Sequence, residues 1–123
     1  MHNETPSRID EKLFEMQAEL CRVLGHSRRL QILSLLASGE KSSGELLRAL
    51  RVSKVNLSQH LALMKHVGLV ESRQDGRRAF HRLAIAEIKD ACQIIRNVLS
   101  ARLNQSTKLA EDLGRARAGG SFS

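Results

Sequence analysis

The chain has 123 residues, of which 41% are apolar and 27% charged, the size and balance of one folded domain rather than a disordered chain. No apolar run approaches the roughly 18 residues that cross a bilayer, and the opening MHNETPSRIDEK lacks the apolar segment of a secretory signal. Two cysteines, Cys21 and Cys92, cannot build a disulfide scaffold, so a reducing cytoplasm is expected and the N-x-[ST] matches at Asn3, Asn56 and Asn104 are chance. The net charge is +7 and unevenly spread. Residues 1–20 are acidic, whereas 51–82 carry Arg51, Lys54, Lys65, Arg73, Arg77, Arg78 and Arg82 against only Glu71 and Asp75. Such a basic block is expected to face a polyanion. Aromatic content of 2% leaves few stacking platforms for single strands, which favours duplex DNA.

The elements follow in order. Leu13, Met16, Leu20 and Val23 or Leu24 recur at helical spacing and predict a first helix over 9–24, stopped by Gly25. Phe14 and Cys21, seven apart, widen its apolar face and imply burial on more than one side. A second helix is expected over 27–36, ended by Ala37-Ser38-Gly39. Ser42-Ser43-Gly44-Glu45 matches a capping box and opens a short third helix, 43–50. After Arg51-Val52-Ser53, with Ser53 as N-cap, a fourth helix covers about 54–66, its buried side drawn by Leu57, Leu61 and Met64. Gly68 closes it. The period then changes: 69–73 and 78–83 flank Gln74-Asp75-Gly76-Arg77, a hairpin signal. A long helix runs from about 85 to 105 or as far as 113, with Ile85, Ile88, Cys92, Ile95 and Leu99 in a 3-4 stripe suited to packing on another helix. The expected organisation is a flexible 1–8, a domain over 9–113, and a disordered, Gly- and Ser-rich 114–123.

Two short helices joined by a three-residue turn, then a basic hairpin, make a winged helix-turn-helix: mainly α, five helices and a two-stranded wing. Leu24-Gly25-His26-Ser27-Arg28-Arg29-Leu30-Gln31-Ile32-Leu33, Leu57-Ser58-Gln59-His60-Leu61, Gly68-Leu69-Val70 and Asp75-Gly76-Arg77-Arg78 together resemble the ArsR family of bacterial repressors over residues 12–100. The resemblance implies a DNA-binding repressor rather than an enzyme, and the chain has no nucleophile motif, Gly-rich phosphate loop or paired carboxylates.

Rotation by 100° per residue puts Val55, Ser58, Gln59, Ala62 and His66 opposite the core side of the fourth helix, with Lys54 at its start. Gln59 suits adenine, Ser58 a base or phosphate, and Lys54 a phosphate beside free backbone N–H groups. Lys54, Ser58 and Gln59 also occupy the family's DNA-contacting positions. The expected interface is Lys54, Val55, Asn56, Ser58, Gln59, Lys65, Arg77 and Arg78, with the last two projecting from the hairpin tip toward phosphates or a minor groove. His60 is expected to pack. One such domain reads few base pairs, so a homodimer through the first and last helices, with Ile88, Cys92, Ile95 and Leu99 as an apolar seam, is expected on an inverted-repeat operator.

Members of the family are commonly released from DNA by a metal, a metalloid or thiol chemistry. The zinc-type pattern on the last helix stops at Asp90, for no histidine follows between 82 and 123, and Glu45-Leu46-Leu47-Arg48 stands where the arsenic- and cadmium-type cysteines lie. His2, His26, His60, His66 and His81 fall on different elements, so no metal and no cofactor is expected. The branch that senses reactive sulfur carries cysteines at positions matching Ser34 and Ser100. Either the switch is lost, or those two sites were altered, or Cys21 and Cys92 serve instead. A two-thiol response suits oxidants or polysulfide. The competing readings are structural cysteines with a metalloid, metal or other small inducer, and a winged helix that binds protein.

Overall fold

The computed structural model describes residues 8–114. The elements run α1 (Arg8–Leu24), α2 (Ser27–Leu36), β1 (Lys41–Ser42), α3 (Ser43–Leu50), α4 (Lys54–His66), β2 (Val70–Asp75), β3 (Arg78–Leu83) and α5 (Glu87–Gly114). The expected flexible 1–8 and disordered 114–123 lie outside the described residues, apart from Arg8 and Gly114, which begin α1 and end α5. Among the described residues no helix is long and apolar enough to cross a membrane. The chain divides into two compact units, one up to Lys89 and one from Asp90 onward.

In the first unit the helix ends form where local chemistry satisfies their free backbone groups. His26 caps α2, its Nδ1 accepting from the Arg28 N–H at 3.1 Å. Ser42 and Glu45 form the complete capping box of α3: the Ser42 hydroxyl accepts from the Glu45 N–H, and the Glu45 carboxylate accepts from the Ser42 N–H, both at 3.1 Å. Hydrogen bonding to the carboxylate from Ser42, chiefly from its backbone N–H, holds the Glu45 carboxyl below its ordinary value. Ser53 caps α4 through the Asn56 N–H. The core beneath is built from Val23 of α1, Ile32, Leu33 and Leu36 of α2, Leu46 and Leu50 of α3, Leu57, Leu61 and Met64 of α4, and Leu69, Val70 and Ile88. Burial of this apolar set is the main force holding the helices together.

The wing is larger than its sequence signal. A third strand, β1, joins the hairpin in the antiparallel order β1-β3-β2, pairing Lys41 with His81 and Ser42 with Phe80. Two residues are too few to show a period of two, which is why β1 escapes sequence reading. The hairpin register pairs Asp75 with Arg78, so the turn is Gly76-Arg77. Gly76 takes φ +62° and Arg77 does not take positive φ, the pattern of a type II′ turn with glycine first.

Two sequence expectations change. Ile88 is only 8% exposed and belongs to the core of the first unit, so it is not part of an exposed seam. Phe14 and Cys21, expected to widen a buried face, are both exposed within the single chain, Phe14 to 58% and Leu13 and Met16 to a similar degree. In the second unit α5 carries Ile94, Ile95, Val98, Leu99, Leu103, Leu109 and Leu113 as exposed apolar residues, so its stripe continues well beyond Leu99.

Candidate nucleic-acid interface

The rotation of α4 is fixed by Leu57, Leu61 and Met64, all buried. An α-helix turns about 100° per residue, so Val55, Gln59, Ala62 and His66 point away from that core. All four are exposed, as are Lys54, Asn56, Ser58 and Lys65. The sequence-derived face is therefore assembled as a continuous surface on one helix. At its start the first turn of α4 offers backbone N–H groups beside the Lys54 ammonium, a combination that suits a phosphate oxygen.

The turn that sets α3 against α4 is tight. Arg51 ends α3 in the left-handed region at φ 53°, its N–H bonded to the Leu47 carbonyl at 3.2 Å. From α2, the Arg28 guanidinium donates to the Leu50 carbonyl at 3.1 Å, tying the second helix to the end of the third. His60, on the flank of α4, meets the His26 ring with centroids 4.7 Å apart. Two of the five histidines thus come together although they are far apart in sequence, but among the described residues no group of three or more His, Cys, Asp or Glu is placed to hold a metal. Partial burial, with His26, Arg29 and Arg28 nearby, pushes the His60 ring below its ordinary pKa.

The wing sorts its cations. Arg73 is clamped by Glu40 through two bonds, at 2.7 and 3.1 Å, and lies 3.8 Å from Asp75. Arg82 is paired with Glu71 at 2.8 Å. Lys54, Lys65, Arg77 and Arg78 make no such ion pair among the described residues, so they retain their charge for an outside partner. Arg77 stands in the turn and Arg78 begins β3. The Arg78 guanidinium lies over the Phe80 ring at 4.8 Å, and Arg73, opposite Phe80 in the register, lies over it at 4.4 Å. Phe80 thereby orders one arginine of the pair by cation–π contact. Arg77, in the turn itself, is exposed.

His81 anchors this wing, a role that sequence reading missed. Only 4% exposed, its ring bonds Ser72 of β2 through Nδ1 at 2.6 Å and Ser43 of α3 through Nε2 at 2.8 Å. One imidazole joins both hairpin strands to the first turn of α3. A neutral ring donates at one nitrogen and accepts at the other, and the two hydroxyls can take the complementary roles. Burial and the nearby Lys65 charge push its pKa down, opposed by Glu40. The available signal was the alternation Ala79, His81, Leu83, which puts His81 on the inner face of its strand.

The two cysteines differ. Cys21 is exposed on α1, and Cys92 is half-buried on α5, where burial pushes its thiol up while Arg96 pulls weakly the other way. Ser34 and Ser100 are exposed on α2 and α5.

The family model of bacterial regulatory proteins of the arsR family matches residues 26–72, which hold the helix-turn-helix. An HTH-type transcriptional regulator of Mycobacterium tuberculosis, Rv0081, is 36% identical over 112 residues, covering 90% of this chain and 96% of its own. The transcriptional activator HlyU of Vibrio cholerae is 38% identical over 62% of this chain and 70% of its own. The biofilm growth-associated repressor of Agrobacterium fabrum is 37% identical over 66% of this chain and 69% of its own. Among solved structures, the homodimeric winged helix-turn-helix DNA-binding domain of Mb0332 from Mycobacterium bovis matches with a TM-score of 0.75 at 30% identity, over 85% of this chain and 95% of that one. The capped helix pair, the three-stranded wing and these relatives agree, and the chain belongs to the ArsR family of bacterial regulatory proteins, a class of non-enzymatic DNA-binding transcription regulators.

Proposed function

We propose that the chain is a cytoplasmic repressor that binds an inverted-repeat operator as a homodimer and leaves it when its cysteines are modified. The observation that carries the DNA reading is the wholly exposed outer face of α4 beside wing cations left unpaired within the described chain. In this reading Ser58 and Gln59 meet base edges with Val55 between them, Lys54, Asn56 and Lys65 hold phosphates, and Arg77 and Arg78 follow the backbone or the adjacent minor groove. Two copies are needed to read enough base pairs, and an isologous pair imposes its own symmetry on the site. The exposed apolar residues of α1 and, separately, of α5 supply the surface for that pairing, and the homodimeric state of Mb0332 supports it. The Agrobacterium relative supports repression, whereas HlyU is an activator. A promoter reporter that rises on deletion of this chain establishes repression, and one that falls establishes activation.

The thiol part rests on Cys21 and Cys92. Reactivity follows the thiolate, and the raised pKa of Cys92 leaves exposed Cys21 as the attacking group. Its sulfur takes one sulfane sulfur from a polysulfide, giving a persulfide and releasing the shortened polysulfide chain. A gel shift with and without polysulfide, on the native chain and on Cys21→Ser and Cys92→Ser, tests this. Loss of the response in Cys21→Ser supports it, and an unchanged response in that variant rejects it. The DNA reading is tested by Gln59→Ala with Arg77→Ala, which should abolish specific duplex binding while light scattering still reports a dimer. Retained duplex binding would favour a winged helix that serves protein contacts instead.

A further inference from the structure

We infer that Val55 reads the 5-methyl group of a thymine in each operator half-site, next to the adenine read by Gln59. This rests on the DNA reading above and deepens it.

Val55 is a β-branched apolar side chain left 65% exposed in the first turn of α4, in the midst of Lys54, Asn56, Ser58 and Gln59, all polar and exposed. It contributes nothing to the core, because Leu57, Leu61 and Met64 define the buried side, and Val55 lies about 150° of rotation from its centre. Nor does helix formation favour it, since valine is a weaker helix former than alanine or the long polar residues. Within the folded unit it is a costly choice at a position where any polar residue would fit.

In a major groove the same side chain has a specific partner. Each base pair presents hydrogen-bonding groups there, and thymine alone adds a methyl group, which apolar side chains contact. Val55 and Gln59 are separated by about 40° of rotation and about 6 Å along the helix axis. Base pairs are stacked about 3.4 Å apart, so the two side chains fall on pairs one or two steps apart. Gln59 has the paired donor and acceptor that match the adenine edge, and Val55 has only apolar surface, which matches a methyl group. Ala62, exposed on the same face, has a small side chain that lets the helix lie close enough for this short contact. The basic flank from Lys54 and Lys65 supplies attraction without sequence preference. Together these features assign a half-site that contains a thymine one or two steps from the adenine.

The test uses the full chain and its own operator, recovered by selection from a random duplex pool. Each thymine of the half-sites is then replaced by uracil, in symmetric pairs, which removes one methyl group and no hydrogen-bonding group. Loss of one buried methyl is worth about fourfold in affinity, and about fifteenfold when both half-sites are changed. One symmetric pair of replacements should show this loss, and Val55→Ala should weaken binding by a similar factor on the thymine operator. On the uracil operator Val55→Ala should then cost nothing further. A full uracil penalty that persists in Val55→Ala, or no penalty at any thymine, overturns the proposal while leaving duplex binding in place. Selection of no duplex at all overturns the DNA reading and this inference with it. Because Val55 is exposed, Val55→Ala should fold as the native chain does, and circular dichroism checks this.

Discussion

Arg51 holds a backbone conformation that glycine adopts freely and arginine does not, at the hinge between α3 and α4. Left-handed conformations crowd Cβ against the backbone, so Arg51→Gly should stabilise the fold by about 0.5–1 kcal/mol, read from the urea midpoint. A lower midpoint would show that the Arg51 side chain makes up for the strain. The histidines make a second residue-scale prediction. His60 and His81 both titrate below the ordinary imidazole value because burial disfavours the charged ring. The unfolded chain therefore binds more protons as pH falls through about 6.5, and stability is full above that value and declines below it. The urea midpoint should fall between pH 7.5 and 5.5, and His81→Gln should show a shallower decline. A midpoint that rises on acidification would contradict this. Glu40 and Glu45 carboxyls, both lowered, titrate beneath that window.

At the scale of elements, the two helices of the turn and the three-stranded wing do different work. In the proposed mode of binding the α4 face carries sequence discrimination, and the wing carries charge that is blind to sequence. Arg77→Ala should therefore weaken operator and random duplex alike and flatten the salt dependence by about one unit of slope for each protomer. A loss confined to the operator would place Arg77 on a base instead. Much of this was legible in the sequence because it is written locally. The spacing of Leu57, Leu61 and Met64 gave the rotation of α4, Ser42 and Glu45 gave the start of α3, and Asp75-Gly76 gave the hairpin. The parts that were not legible depend on residues far apart in the chain. β1 is a strand only because β3 lies beside it. His81 becomes an anchor only when Ser43 and Ser72 reach it from two other elements, and the His26–His60 contact spans two helices. Glu40 cancels Arg73 from 33 positions away, so a count of basic residues overstates the charge available to a partner.

For the whole molecule, operator binding of this kind requires a pair of chains. The exposed Ile95 and Leu99 on α5, at 55% and 52%, would be costly surface on a lone subunit. Replacing both with lysine should yield a monomer in sedimentation and remove tight operator binding, with the first unit still folded. A variant that still dimerises would move the interface elsewhere, to the apolar residues of α1. Paired chains also dictate what the operator must look like. Hydroxyl-radical footprinting on the selected duplex should show two equivalent protected patches related by a two-fold axis, their centres separated by one helical turn of about 10 base pairs or a multiple of it. A single protected patch, or protection without that symmetry, would contradict binding as a pair.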